Sequence, residues 1–194
     1  MMPGRELLWG EVAGPKPFGI SASYFKYIVF KNPDWNYLTF DFDQDVALAD
    51  KLDSGLLNAN DPNLKAFFAH GGKILSYHGW NDQQISTLNS VNYYNSVVKF
   101  MGGAAKVNDS YRLFLAPGMN HCGGGDGPSR IDVFPVIDNW VTQGKAPDKL
   151  IAAHVTGNHA DRTRPLCPYP QVAKYKGAGS IDEAENFECV PRPR

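Results

Sequence analysis

Lys73-Ile74-Leu75-Ser76-Tyr77-His78-Gly79-Trp80-Asn81-Asp82 is the stretch that decides the fold. Its first half is a short, largely apolar run of the kind buried in a sheet, ended by a glycine, and a polar turn then carries the chain from Trp80 to Ser86. The apolar spacing that follows predicts a helix over residues 87–101, stopped by Gly102-Gly103. The same order repeats downstream. Residues 111–116 read as a second strand, 117–128 as a glycine-rich loop, and 129–143 as a helix with Ser129 as N-cap and Gly144 at its end. Two successive strand, loop and helix units imply parallel strands joined by right-handed crossovers, an α/β class with helices flanking the sheet. Functional groups of such sheets sit on loops leaving the C-terminal ends of strands. Asp82 and His121 both occupy such loops.

Outward from this centre the pattern weakens. Toward the N-terminus, Pro3-Gly4, Gly14-Pro15 and Pro17 make the first residues an irregular connection, residues 21–30 are aromatic and apolar, and Asn32-Pro33-Asp34 interrupts them. Val46, Leu48, Ala49 and Leu52 give residues 45–57 a helical spacing, and Asp61-Pro62 marks another helix start, with its end at Gly71-Gly72. Toward the C-terminus, residues 149–155 read as a strand and the remainder as an irregular tail. Three segments result: a connection over 1–20, the α/β core over 21–160, and the tail over 161–194.

With 194 residues and 43% hydrophobic content the chain can bury one sizeable core. Charged residues nearly cancel to a net charge of -1, so no nucleic-acid partner is expected. No apolar run approaches the length of a membrane span, and Met1-Met2-Pro3-Gly4 lacks the basic and apolar blocks of a signal peptide. The three cysteines, Cys122, Cys167 and Cys189, contain no Cys-x-x-Cys pair of the zinc or redox type. Cys167 and Cys189 share the Pro- and Gly-rich tail, where a disulfide would stabilise by roughly 3 kcal/mol and leave Cys122 over. Three reduced, buried thiols are the other reading.

Asp82 followed by His121 is the acid-then-histidine half of the chain order serine, acid, histidine found in α/β-hydrolases. A carboxylate fixes the imidazole tautomer and stabilises its cation while the other ring nitrogen takes the serine proton. Taken singly, an Asp after a strand is more often a turn or cap residue. His121 is the stronger candidate, because proline and glycines on either side free the backbone to place one imidazole. His70, His78, Asp82 and His121 lack a metal-ligand spacing. Asp41, Asp43 and Asp45 imitate the start of an EF-hand, but Val46 and Leu52 stand where Gly and Glu are required, so a solvated, turn-forming acidic stretch is expected. His154 and His159 have no visible partner. Gly19-Ile20-Ser21-Ala22-Ser23 lacks the final glycine of a nucleophile elbow and no buried strand precedes it, so the serine and its oxyanion hole are expected outside this chain.

Several ordered blocks, from Gly71-Gly72-Lys73 through His78-Gly79-Trp80-Asn81-Asp82, Pro117-Gly118-Met119-Asn120-His121-Cys122-Gly123-Gly124-Gly125, Trp140-Val141 with Gly144-Lys145-Ala146-Pro147, and Arg164-Pro165-Leu166-Cys167-Pro168-Tyr169-Pro170 with Asn186-Phe187-Glu188-Cys189, resemble the tannase and feruloyl esterase family. The resemblance implies the C-terminal part of an α/β-hydrolase fold, with the N-terminal half and the lid largely absent, and Asp82 and His121 as triad acid and base. It also implies a Cys167–Cys189 disulfide and a second bridge from Cys122 to a cysteine just before the catalytic serine. Ile85 would face the substrate. No cofactor is expected in this chain, since the structural calcium of relatives belongs to the lid, of which only the end near residues 1–19 would remain. The implied activity is hydrolysis of small aromatic or phenolic esters by an extracellular or periplasmic enzyme, with the fragment alone inactive and an apolar sheet edge left open to self-association. A non-catalytic fragment or binding module, or another α/β-hydrolase such as a peptidase, are the alternatives.

Overall fold

Strand β1, Ile74–Gly79, lies parallel to β2, Tyr111–Ala116, in a register that pairs Ile74 with Tyr111 and Gly79 with Ala116. These come from a computed structural model, which describes residues 10, 12 and 14–193. The chain divides between Asp61 and Pro62 into two compact units. The break falls inside the expected 21–160 segment, and the tail belongs to the same unit as both strands.

In the larger unit a short helix α3, Lys65–Ala69, precedes β1, and α4, Thr87–Met101, makes the crossover between β1 and β2. Val91, Tyr94 and Val97, three residues apart, bury one stripe of α4 against Val107, Tyr111 and Leu113. Gly102 ends the helix at φ 88°, a backbone angle open mainly to glycine. The alternation of β2 sends Phe114 and Ala116 to the opposite face, where they pack with Met119, Leu150, Ala152 and Leu166. Each fully buried side chain of this size contributes about 2 kcal/mol. This two-sided burial makes β2 the spine of the unit.

Beyond β2 the architecture departs from a purely parallel sheet. Strand β3, Arg130–Ile131, helix α5, Phe134–Gln143, and strands β4, Leu150–Thr156, and β5, His159–Leu166, follow in order. β3, β4 and β5 form an antiparallel sheet. The expected helix from Ser129 therefore starts later: the Ser129 N–H donates to the Ala153 carbonyl at 3.0 Å, the next two residues pair with β4, and Pro135 opens the helix. The tail is not irregular. Besides β5 it holds β6, Val172–Tyr175, and β7, Phe187–Val190, paired as a hairpin. The Cys167–Cys189 disulfide, with Cα atoms 5.5 Å apart, ties this hairpin to the end of β5. Tyr169 donates its N–H to Leu113 at 2.8 Å and Pro168 bridges to Phe114, which covers the edge of β2 away from β1. Among the described residues nothing pairs with the other edge of β1.

The helix expected from Asp61-Pro62 begins only at Lys65, because Leu64 donates its N–H back to Pro62 and the Asn63 side chain accepts from the Lys65 N–H.

The smaller unit holds α1, Gly19–Ser23, continued by a π-helical stretch over Tyr24–Val29, and α2, Gln44–Asp53. Phe25, Phe30, Trp35 and Phe40 gather with ring centroids 4.7 to 6.3 Å apart. The Asp41 carboxylate accepts from the Asp43 and Gln44 N–H groups, and Asp45 accepts from the Asp41 N–H. These carboxylates serve the start of α2, so the acidic stretch is a turn and cap rather than a calcium loop. Residues 1–9, 11 and 13, about half of the expected irregular connection and lid remnant and including the start read for a leader, lie outside the described residues.

Candidate active site

Gly79 ends β1 and is buried, and a Cβ there would collide with the carbonyl oxygens of Met119 and Asn120. Its absence lets the loop after β2 lie directly against the end of β1. Trp80 N–H then donates to Ala116 O at 2.9 Å and Asn81 N–H to Met119 O at 3.0 Å, so the two loops close like a short extra pair of rungs. Thr87, at the start of α4, donates its hydroxyl to Gly79 O at 2.6 Å. Asp82 and His121, 39 positions apart in the chain, are brought together by this closure.

The Asp82 residue is only 3% exposed. Its Oδ1 accepts from the Gln84 and Ile85 N–H groups, each at 2.8 Å. Its Oδ2 meets His121 Nδ1 at 2.9 Å and His78 Nε2 at 3.0 Å. Burial pushes the pKa of Asp82 upward, but the Ile85 N–H, His121, the Gln84 N–H and His78 together outweigh it and hold the carboxyl below its ordinary 3.8. The group is an ionised, acceptor-only carboxylate at neutral pH. Both facing ring nitrogens therefore carry protons. For His121 this leaves Nε2 with its lone pair free, the tautomer of a general base. No serine among the described residues bonds to that nitrogen. The His121 side chain is 31% exposed, and the His121 backbone N–H donates to Gln83 Oε1 at 3.4 Å.

Around this pair the loop is tightly turned. Asn120 N–H donates to Gly124 O and Gly127 N–H to Gly118 O. Cys122 adopts φ 58°, uncommon for a residue with a side chain, and is a free, exposed thiol. It lines an open hollow of about 500 Å³ with Tyr77, Arg130 and His154. Ile85 is 47% exposed, three residues beyond Asp82 on the same turn.

Other sequence candidates fall elsewhere. His154 has a partner after all: its Nδ1 lies 2.6 Å from Asp161 Oδ1, across the β4–β5 pair, and Thr156 donates to Asp161 Oδ2. Sequence spacing hid this pair because β5 carries too few apolar residues to read as a strand. His78 stands beside Asp82 as a hydrogen-bond donor. Its Nδ1 lies 2.7 Å from Ser90 Oγ on α4. Neither that role of His78 nor Ser90 is visible in sequence, although both sit on elements the pattern predicts. Among the described residues no group of three or more His, Cys, Asp or Glu side chains is arranged to hold a metal ion.

Two parallel strands joined through a helix thus bring an aspartate and a histidine together beyond their C-terminal ends, where functional groups of such sheets sit. The family model described as tannase and feruloyl esterase matches residues 19–190, and the chain belongs to that family. A mono(2-hydroxyethyl) terephthalate hydrolase of Piscinibacter sakaiensis is 46% identical over 138 residues, covering 70% of this chain and 22% of that protein. A probable feruloyl esterase B-2 of Aspergillus terreus is 34% identical over 209 residues, covering 98% of this chain and 40% of its own length. The crystal structure of feruloyl esterase B from Aspergillus oryzae superposes with a TM-score of 0.85 at 33% identity, over 98% of this chain and 41% of that one. The chain thus spans well under half the length of these relatives.

Proposed function

We propose that this chain supplies the acid, Asp82, and the histidine, His121, of a Ser-His-Asp carboxylic ester hydrolase that acts on small aromatic or phenolic esters. The nucleophilic serine would come from a segment outside these 194 residues. One observation carries the reading: a buried carboxylate with its acceptor sites occupied holds Nδ1 of a partly exposed histidine at 2.9 Å, and the opposite nitrogen has no hydrogen-bond partner among the described residues. Such a histidine takes the serine proton, is stabilised as its cation by Asp82, and returns the proton to the leaving alcohol.

Ile85 would lie against the aromatic acyl group, and the exposed Cys122 thiol would bridge to a cysteine beside the serine, fixing the distance between nucleophile and base. The Cys167–Cys189 disulfide supports a secreted or periplasmic location. A structural calcium, as in the lid expected from the family resemblance, would lie outside this chain. The printed names of the relatives, a terephthalate monoester hydrolase and a feruloyl esterase, support aromatic esters as the substrate class.

The test is hydrolysis of methyl ferulate, against a peptide substrate, by the 194-residue chain and by the same chain joined to its upstream coding sequence. The longer protein should cleave the ester and the 194 residues alone should not. His121→Ala in the longer protein should lower kcat/KM by at least about 10³-fold. Full esterase activity in that variant would sink the assignment.

A further inference from the structure

A carboxylate offers about four lone-pair directions, two per oxygen. At Asp82 all four are occupied: Oδ1 by the N–H groups of Gln84 and Ile85, Oδ2 by His121 Nδ1 and His78 Nε2. Three of these donors are expected of an acid–histidine pair built on a turn. The fourth, His78, projects from β1 and is itself anchored. Because its Nε2 must carry the proton that faces the carboxylate, its Nδ1 is an acceptor, and the Ser90 hydroxyl 2.7 Å away donates to it. The side chain of His78 is largely buried, and no part of the proposed proton path needs it.

We infer that His78, locked in its tautomer by Ser90, is a positioning residue that fixes the Asp82 carboxylate and shares Oδ2 with His121. The inference rests on the proposed roles of Asp82 and His121. Two N–H donors on one oxygen divide its accepting strength, so His78 weakens the hold of Asp82 on the imidazolium of His121. Ser90, His78 and Asp82 also spell the three residue types of a nucleophilic triad, but the order of ring nitrogens is reversed. Ser90 Oγ meets Nδ1 and the carboxylate meets Nε2. Ser90 lies within α4, and its hydroxyl points to His78.

Two measurements decide the matter. In the 194-residue chain, imidazole nitrogen NMR should show His78 as the Nε2–H tautomer and His121 as Nδ1–H at neutral pH. In His78→Phe, which keeps the ring volume and removes the donor, the titration of His121 should move up by about half to one pH unit. His78→Gln, which returns an amide donor, should bring the His121 titration most of the way back to that of the unsubstituted chain, and His78→Ala replaces the Phe variant if that one does not fold. In the longer, esterase-competent protein, His78→Phe should lower kcat about tenfold with KM within twofold, and raise the acid limb of the pH profile by the same half to one unit. Ser90→Ala, which releases the His78 tautomer, should lower kcat by no more than His78→Phe does. An unchanged His121 titration and pH profile in His78→Phe would overturn the positioning role, as would a Ser90→Ala loss as complete as that of His121→Ala. If His121→Ala itself stays active, the failure lies with the proposed function and not with His78.

Discussion

Two aspartates of the larger unit each meet a histidine Nδ1 at short range, and their surroundings differ. His121–Asp82 sits at 2.9 Å and His154–Asp161 at 2.6 Å, so distance alone favours the second. Asp161, however, has a side chain 40% exposed, on the β4–β5 ribbon, and its carboxyl is lowered first by the Thr156 hydroxyl and then by His154. Water screens such a pair and competes for both partners. Asp82 lies at the junction of two loops and is only 3% exposed, so water scarcely competes with its donors. The comparison teaches that burial and a complete set of donors, not the short contact, mark the pair able to hold a proton-transfer geometry.

Breaking the pairs should separate them most widely in activity. Asp82→Asn in the longer protein should cut kcat on methyl ferulate by on the order of 10⁴-fold, by turning an amide N–H toward donors and releasing the His121 tautomer. Asp161→Asn should leave kcat within twofold.

Stability should separate them next. Asp82→Asn faces buried N–H groups with a donor and should cost about 3 kcal/mol by urea unfolding of the 194-residue chain. The staple of the tail offers a scale for that figure, since replacing Cys167 and Cys189 by serine should also cost roughly 3 kcal/mol, through the freed entropy of the unfolded chain.

The pH dependence sharpens the same contrast. Asp82 is more acidic in the folded chain than its ordinary 3.8, so the stability it contributes is complete above that value and is lost as pH falls through the lower folded one. The stability gap between wild type and Asp82→Asn should therefore shrink below pH 3.8. For Asp161→Asn, whose shift has the same sign but is solvent-screened, the gap should be flat within error. The smallest effect belongs to Ile85→Ala, which should raise KM for an aromatic ester a few-fold with little change in kcat or stability.

What could be read in the sequence follows burial. β1, α4 and β2 carry strong apolar periods because both faces of β2 are covered, and Asp82 and His121 follow from their place at the strand ends. β5, with His159, Asp161, Arg162 and Arg164 along it, is held by the backbone ladder to β4 and leaves almost no apolar signal. Pro165 within it argues against a central strand, yet an edge strand tolerates it. Ser129 resembled an N-cap until its N–H was needed by the sheet. His78 and Ser90 were hidden for a different reason: their roles arise from a contact across the crossover, and no spacing rule encodes a shared carboxylate oxygen.

The missing Cβ of Gly79 has a consequence for engineering this scaffold. The end of β1 and the histidine loop fit as a hinge with no clearance, so the two cannot be redesigned separately. The loop beyond His121 is constrained as well, because Gly123 and Gly124 have open space but positive φ, and a Cβ at Gly125 would strike the Gly118 carbonyl oxygen. Lengthening the chain between Ala116 and Asn120, or placing alanine at 79, would shift the imidazole relative to its carboxylate and cost turnover before it cost folding.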